Sequence, residues 1–235
     1  ITRQVYYPID QILGEVEQKV NDASRSGRKI DFLSLVPDGE PCLDKNLGFL
    51  IAGLKQFNIP IAVISNASFI NQQDVREELT RADWVSLKVD AVREEAWHQI
   101  NRPHGRLSLA AILAGIQSFR AEFEGTLVTE TMLVAGVNDD ANAIQGLTDF
   151  LLELQPEQAY LSIPTRPPAE NWVKPPAGYE LKRNLEVISN KLPFVEILFE
   201  AEPSDFVSTG KLAEDVLSIT AVHPIREVAL RKMVL

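Results

Sequence analysis

The sequence has almost no cysteine: Cys42 is the sole thiol in 235 residues. That excludes an internal disulfide and any cysteine-rich metal site built from these residues alone, and it fits a reducing cytoplasm. Positive charge is also short. There are 23 Lys and Arg against 33 Asp and Glu, for a formal net charge of -10, which disfavours non-specific nucleic-acid binding by the chain as a whole without excluding a local basic groove. No apolar run reaches the roughly 18 residues of a membrane span, so no membrane partner is expected. No basic segment followed by an apolar one opens the chain, and a cytoplasmic location is expected. With no secretion signal, the glycosylation-like triplet Asn66-Ala67-Ser68 is discounted. No fixed-period repeat is present, which excludes a solenoid.

What is present is an ordinary globular composition, 45% apolar and 24% charged, in a length that α/β barrels use for one domain. Apolar, β-branched runs recur at 30–36, 59–65, 84–89, 126–134, 158–163 and 195–199. Helix-like segments fill 45–57, 71–80, 108–123, 140–154 and 178–191, and Asp10 is placed to cap another that ends near Arg25 at Ser26-Gly27. A strand plus a helix per step predicts βαβ units and a parallel sheet, curled into a full or partial barrel. In 84–90, Val85, Leu87 and Val89 share one face while Ser86, Lys88 and Asp90 share the other. That alternation predicts an open or wide barrel with a polar interior; an edge strand in solvent would show the same pattern.

Strand ends are where such folds place ligands. The first run exits into Val36-Pro37-Asp38-Gly39-Glu40-Pro41, a tight turn with two carboxylates. Gly39 suits a positive φ or close approach of a ligand, and Pro41 pushes Glu40 extended. A plain surface turn has the same composition. Later runs end at Ser65-Asn66, at Lys88 and Asp90, at Glu130 and Gly136-Val137-Asn138-Asp139, and at Thr165-Arg166.

The ordered set of these stretches, with Ile100-Asn101-Arg102-Pro103-His104 and Ile163-Pro164-Thr165-Arg166-Pro167-Pro168-Ala169-Glu170, resembles the radical SAM superfamily. More narrowly, it resembles the Fe–S oxidoreductases grouped with wyosine-type tRNA-modifying enzymes. Asp38-Gly39-Glu40-Pro41 is similar to that superfamily's Gly-Gly-Glu-Pro motif, with Asp in the place of the first glycine. The resemblance implies a partial (β/α)6 barrel over residues 1–200, lacking its first strand and cluster loop. Residues 201–235 would be an extension leading toward a small helical module.

The resemblance further implies S-adenosylmethionine and a [4Fe–4S] cluster, an electron donor such as flavodoxin or ferredoxin, and a 5′-deoxyadenosyl radical that abstracts hydrogen from a substrate, RNA being one candidate. Asp38, Gly39, Glu40 and Pro41 would hold the methionine ammonium. Asn66, Ser86 and Lys88 would reach its carboxylate or the ribose, and Gly136 and Asn138 would lie near adenine. Arg102, Glu130 and Arg166 are the candidate substrate contacts. The cysteines that such a cluster needs, spaced Cys-x3-Cys-x2-Cys, are not in the sequence. They are expected upstream of Ile1, unless the cluster has been lost.

Catalytic candidates are Lys88, Asp90 and His104. Lys88 has the chemistry of a Schiff-base nucleophile, which would make the chain an aldolase or lyase; Asp90 on the same face opposes that by stabilising the ammonium. A non-catalytic SAM-binding protein is a third reading. His104 is read as a loop acid, base or solvated residue, His98 as structural, and His223 as a helix start. Cys42 is read as a buried small hydrophobe, Trp172 as a cover of the barrel mouth or a loop anchor, and the acids of 194–205 as solvated surface.

Overall fold

A computed structural model describes residues 2–36, 39–165, 168–198, 212–222 and 227–234. The chain divides into two units, Ile1–Leu198 and Phe199–Leu235. In the first, helices α1 (Ile9–Arg25), α2 (Leu47–Leu54), α3 (Gln73–Leu79), α4 (Glu94–Asn101), α5 (Leu109–Glu122), α6 (Ala141–Leu154) and α7 (Gly178–Lys191) accompany six strands. These are β1 (Leu33–Leu35), β2 (Ile61–Ser65), β3 (Trp84–Lys88), β4 (Thr126–Met132), β5 (Gln158–Ser162) and β6 (Val195–Leu198). The second unit contributes α8 (Leu212–Val222) and α9 (Glu227–Val234).

All six apolar runs form strands, paired in parallel in the order β1-β2-β3-β4-β5-β6. Among the described residues β1 pairs only with β2 and β6 only with β5, so the sheet is an open, partial barrel. The run expected over 30–36 yields a strand of only three residues, because just Leu33, Ser34 and Leu35 find partners on β2. β3 lies inside the sheet, which settles its alternation as an interior pattern and not that of an edge.

Alternation builds two different surfaces. Val85, Leu87, Leu127 and Leu161 are fully buried toward the helices, where α1 packs on α2, α2 on α3, α5 on α6 and α6 on α7 as one layer. The opposite, concave face is largely polar. Parallel register aligns Lys88, Glu130, Tyr160 and Glu196 in one row across four strands. Burial raises the pKa of the Tyr160 phenol, and the charges of Glu196 and Glu130 push it the same way.

Local signals fix the helix ends. Ser108 caps α5, accepting from Ala111 N at 3.4 Å, and Asp140 caps α6, accepting from Asn142 N and Ala143 N at 2.9 and 3.0 Å. Asp10 is not the cap of α1. The helix starts one residue earlier, after Pro8, and Asp10 stands in its first turn, where a negative charge favours the helix dipole. Ser26-Gly27 ends α1 as expected, with Gly27 at φ 67°.

Among the described residues, one buried hydroxyl in the sheet has no partner. Thr129 on β4 is 1% exposed, and its Oγ1 makes no hydrogen bond. It shares a face with Leu127, so it sits on the apolar, helix-facing side. Thr129→Val removes the unpaired hydroxyl at nearly constant shape. It is expected to stabilise the chain by about 1 kcal/mol, seen as a higher urea midpoint with an unchanged slope.

Candidate functional site

Glu40 organises the carboxyl end of the sheet. The chain leaves β1, passes the exposed Gly39, and enters a single 3-10 turn, Pro41–Leu43, that Glu40 caps. The Glu40 side chain is buried and accepts three hydrogen bonds. Oε1 takes Cys42 N at 3.0 Å and Ser65 Oγ at 2.7 Å, and Oε2 takes Asn66 N at 2.7 Å. The exit of β1 is thereby tied to the end of β2. A carboxylate offers roughly four acceptor positions, and the described residues fill three of them.

The loop after β2 is built around the same hub. Ser65 Oγ also accepts from Ala67 N at 3.0 Å, and Asn66 Oδ1 accepts from Ser68 N at 2.9 Å. Ala67, buried, is held at φ 62°. A left-handed backbone costs a non-glycine residue about 1–2 kcal/mol, and the hydrogen bonds around Ser65 oppose that cost. A Cβ added at Gly39 would meet nothing within 4 Å among the described residues beyond its chain neighbours.

At the end of β3, Lys88 Nζ lies 3.7 Å from Asp90 Oδ1, with the lysine side chain 35% exposed and the aspartate side chain fully buried. Asp90 also accepts from Asn101 Nδ2 at 2.7 Å and Met132 N at 2.9 Å. Asn66, Ser68, Lys88, Asp90 and Asn101 line a cavity of about 80 Å³ that is floored by α4 and α5. Ser86 and Glu130 meet on the concave face, Ser86 Oγ donating to Glu130 Oε1 at 3.0 Å. Glu130 is therefore a partner of Ser86 within the barrel, in the row that holds Tyr160.

The remaining candidates separate. Asn138 is buried, and its side chain is fully used by backbone. Oδ1 accepts from Val134 N at 2.7 Å, and Nδ2 donates to Asp90 O at 2.7 Å and Met132 O at 2.8 Å. It shapes the loop after β4. Gly136 takes φ 70° in that loop, and its N–H donates to Asp139 Oδ1 at 2.7 Å.

Arg102 caps the end of α4 and pairs with Glu170 at 2.6 Å. Both face a cavity of about 330 Å³ between the ends of β4 and β5, walled by Met132, Val134, Ile163 and Trp172. Trp172 thus lines that cavity. His104 is exposed in a turn, where Nδ1 accepts from Arg106 N at 3.2 Å, and it lines neither cavity. His98 is exposed on α4, 3.5 Å from Glu94. Asp38, Arg166 and His223 lie outside the described residues.

Sequence reasoning passed over Ser65, Asn101 and Arg3, whose partners are 11 to 75 positions distant. Ser65 was visible only as a polar residue at a strand end; Arg3 carried no local signal.

An iron–sulfur cluster does not fit these residues. Among the described residues no group of three or more His, Cys, Asp or Glu is placed to hold a metal ion. Cys42 is 1% exposed, with Sγ 3.6 Å from Ser65 Oγ.

A UPF0026 protein of Methanocaldococcus jannaschii is 38% identical over 99% of this chain and 73% of its own length. The chain belongs to the UPF0026 family. No family model matches it. Among solved structures, this UPF0026 chain is similar to a radical SAM methyltransferase from Sphaerobacter thermophilus, with a TM-score of 0.63 and 16% identity over 83% of this chain and 59% of that one. It is also similar to TYW1 with a lysine-pyruvate adduct bound, with a TM-score of 0.58 and 14% identity over 77% of this chain and 61% of that one. Its fold is that of radical SAM enzymes. No helix among the described residues is long and apolar enough to cross a membrane.

Burial raises the Cys42 thiol well above its ordinary value, and the Glu40 charge beside it adds to the shift. The thiol is therefore expected to resist a disulfide reagent at pH 8 in the native chain and to react promptly in urea. Because the folded pKa is the higher one, the thiol's contribution to stability is complete below the unfolded pKa of about 8.5 and declines as pH rises beyond it. A urea midpoint that is flat between pH 8 and 10 in wild type and in Cys42→Ala alike would contradict this.

Proposed function

We propose that this chain is the S-adenosylmethionine-binding part of a radical SAM enzyme whose cluster thiolates come from residues outside this sequence. With a cluster supplied from outside these residues, such an enzyme would cleave S-adenosylmethionine reductively, with flavodoxin or ferredoxin as electron source, and abstract hydrogen from a substrate. The observation that carries this reading is the Glu40 carboxylate, held by three hydrogen bonds at the carboxyl end of an open parallel barrel.

The residues divide the cofactor between two ends. Glu40 and the backbone at Gly39 would accept the ammonium of the methionine portion, which suits a fixed anion and needs no basic group. Asn66 and Lys88 would face its carboxylate, with Asp90 and Asn101 orienting Lys88 from behind. The cavity walled by Met132, Val134 and Ile163 offers the apolar slot that an adenine ring requires. Three hydrogen bonds fix Glu40 before any ligand arrives, so little ordering is left to oppose binding.

Titration of S-adenosylmethionine into the chain by calorimetry tests this. Wild type is expected to bind, and Glu40→Gln, which puts an amide donor against donors, to bind about tenfold or more weakly. Absence of binding by folded wild type would sink the proposal.

A second reading rests on Lys88, whose half-exposed amine reaches the smaller cavity, and on the lysine adduct described for TYW1. An amine attacking a carbonyl has to be neutral and to leave its ion pair with Asp90. Borohydride reduction in the presence of pyruvate, followed by intact mass measurement, is expected to add the trapped mass in wild type and not in Lys88→Ala. An unmodified wild type would leave Lys88 as the ion-pair partner of Asp90.

A further inference from the structure

We infer that Arg3 is the positioning residue that sets the Glu40 carboxylate, and through it the ammonium end of the site; this rests on the reading of Glu40 given above. Arg3 is 9% exposed and makes four polar contacts. Nε donates to Cys42 O at 2.8 Å, one terminal nitrogen to Asp44 O at 2.9 Å and to Glu78, and the other to Asp74 Oδ2 at 2.9 Å. The same Cys42 whose carbonyl Arg3 grips sends its N–H to Glu40 Oε1 at 3.0 Å. One residue, held from both sides, stands between the guanidinium and the carboxylate.

The neighbouring backbone extends the grip. Gln4 N donates to Leu43 O at 3.0 Å, and Lys45 N donates to Gln4 O at 3.0 Å. Three successive carbonyls, of Cys42, Leu43 and Asp44, thus accept from Arg3 or Gln4. Among the described residues no other side chain donates to the Cys42 or Asp44 carbonyl. Asp74 and Glu78 on α3 hold the far side of the guanidinium, so the turn that carries Glu40 is braced against a helix 30 residues on. Burial raises the pKa of Glu78, the charge of Asp74 adds to the shift, and the guanidinium groups of Arg3 and Arg81 oppose it. Lysine cannot replace this fork, because an ammonium does not present divergent planar donors to two carbonyls and two carboxylates at once.

A merely fold-stabilising arginine would affect every ligand of the barrel alike. A positioning residue for Glu40 affects only ligands with an amino-acid end. The test is calorimetric titration of wild type, Arg3→Met and Arg3→Lys with S-adenosylmethionine and with 5′-methylthioadenosine, which keeps the adenosine and sulfur but lacks the amino-acid end. Far-UV melting confirms that each variant is folded at the titration temperature.

Arg3→Met is expected to bind S-adenosylmethionine about tenfold more weakly, with 5′-methylthioadenosine unchanged within about twofold, and Arg3→Lys to fall between wild type and Arg3→Met. Equal losses for both ligands, or no loss for either, overturn the role of Arg3 while leaving the cofactor site standing. Failure of wild type to bind S-adenosylmethionine overturns the reading of Glu40, and the role of Arg3 with it. Should Arg3→Met not fold, Arg3→Lys decides alone: a loss confined to S-adenosylmethionine supports the inference, and any other pattern rejects it.

Discussion

A buried carboxylate is tolerable only when its oxygens are satisfied, and that constraint governs this fold at Glu40. Taking an ionised carboxylate out of water costs several kcal/mol. Each hydrogen bond to a charged group returns about 1.5–3 kcal/mol, so one donor is not enough and three make the burial sustainable. The three donors belong to the turn after β1 and to the end of β2. Satisfying Glu40 therefore forces the two strand exits into one arrangement, and the strained Ala67 and the Asn66 turn follow from it. The Arg3 clip adds a second brace from outside the sheet, acting on the same turn.

The interior of the barrel obeys the same rule with less redundancy. Ser86 serves Glu130, and Asp90 is shared by Asn101, Met132 N and Lys88. Ser86, Glu130, Lys88 and Asp90 are thus paired in small sets, while the helix-facing side is apolar except at positions such as Thr129. A closed barrel would fill its centre with Val and Leu. An open sheet of six strands leaves the centre wet, and only a wet centre accommodates a row such as Lys88, Glu130, Tyr160 and Glu196.

Strand positions were legible in the sequence because β-branched runs and alternation are local properties; their lengths were not, because length depends on the partner. β1 shows this, since its apolar run continues past the three residues that pair. The carboxylates at strand ends were also legible, but what each one does was not. Glu40 meets Ser65 and Asn66 across 25 and 26 positions, and Arg3 meets Glu78 across 75. The resemblance puts Asn138 near adenine; what the sequence does not show is that its amide also does what Asn commonly does in tight loops, pairing with backbone groups of β4's exit and of Asp90.

The distinction between Asn138 and Glu40 bears on how a site is recognised at all. Both are buried, both accept from backbone N–H groups, and both close a loop at the carboxyl end of the sheet. Asn138 is neutral and both donates and accepts, so its amide is matched by the backbone groups it meets. Glu40 only accepts, and the described residues supply it three donors against a carboxylate's roughly four acceptor positions. On the proposed reading, an anionic acceptor already fixed by donors is preorganised for a cationic group. That difference, more than burial or position on the rim, is what would make Glu40 a binding residue and Asn138 a loop-closing one.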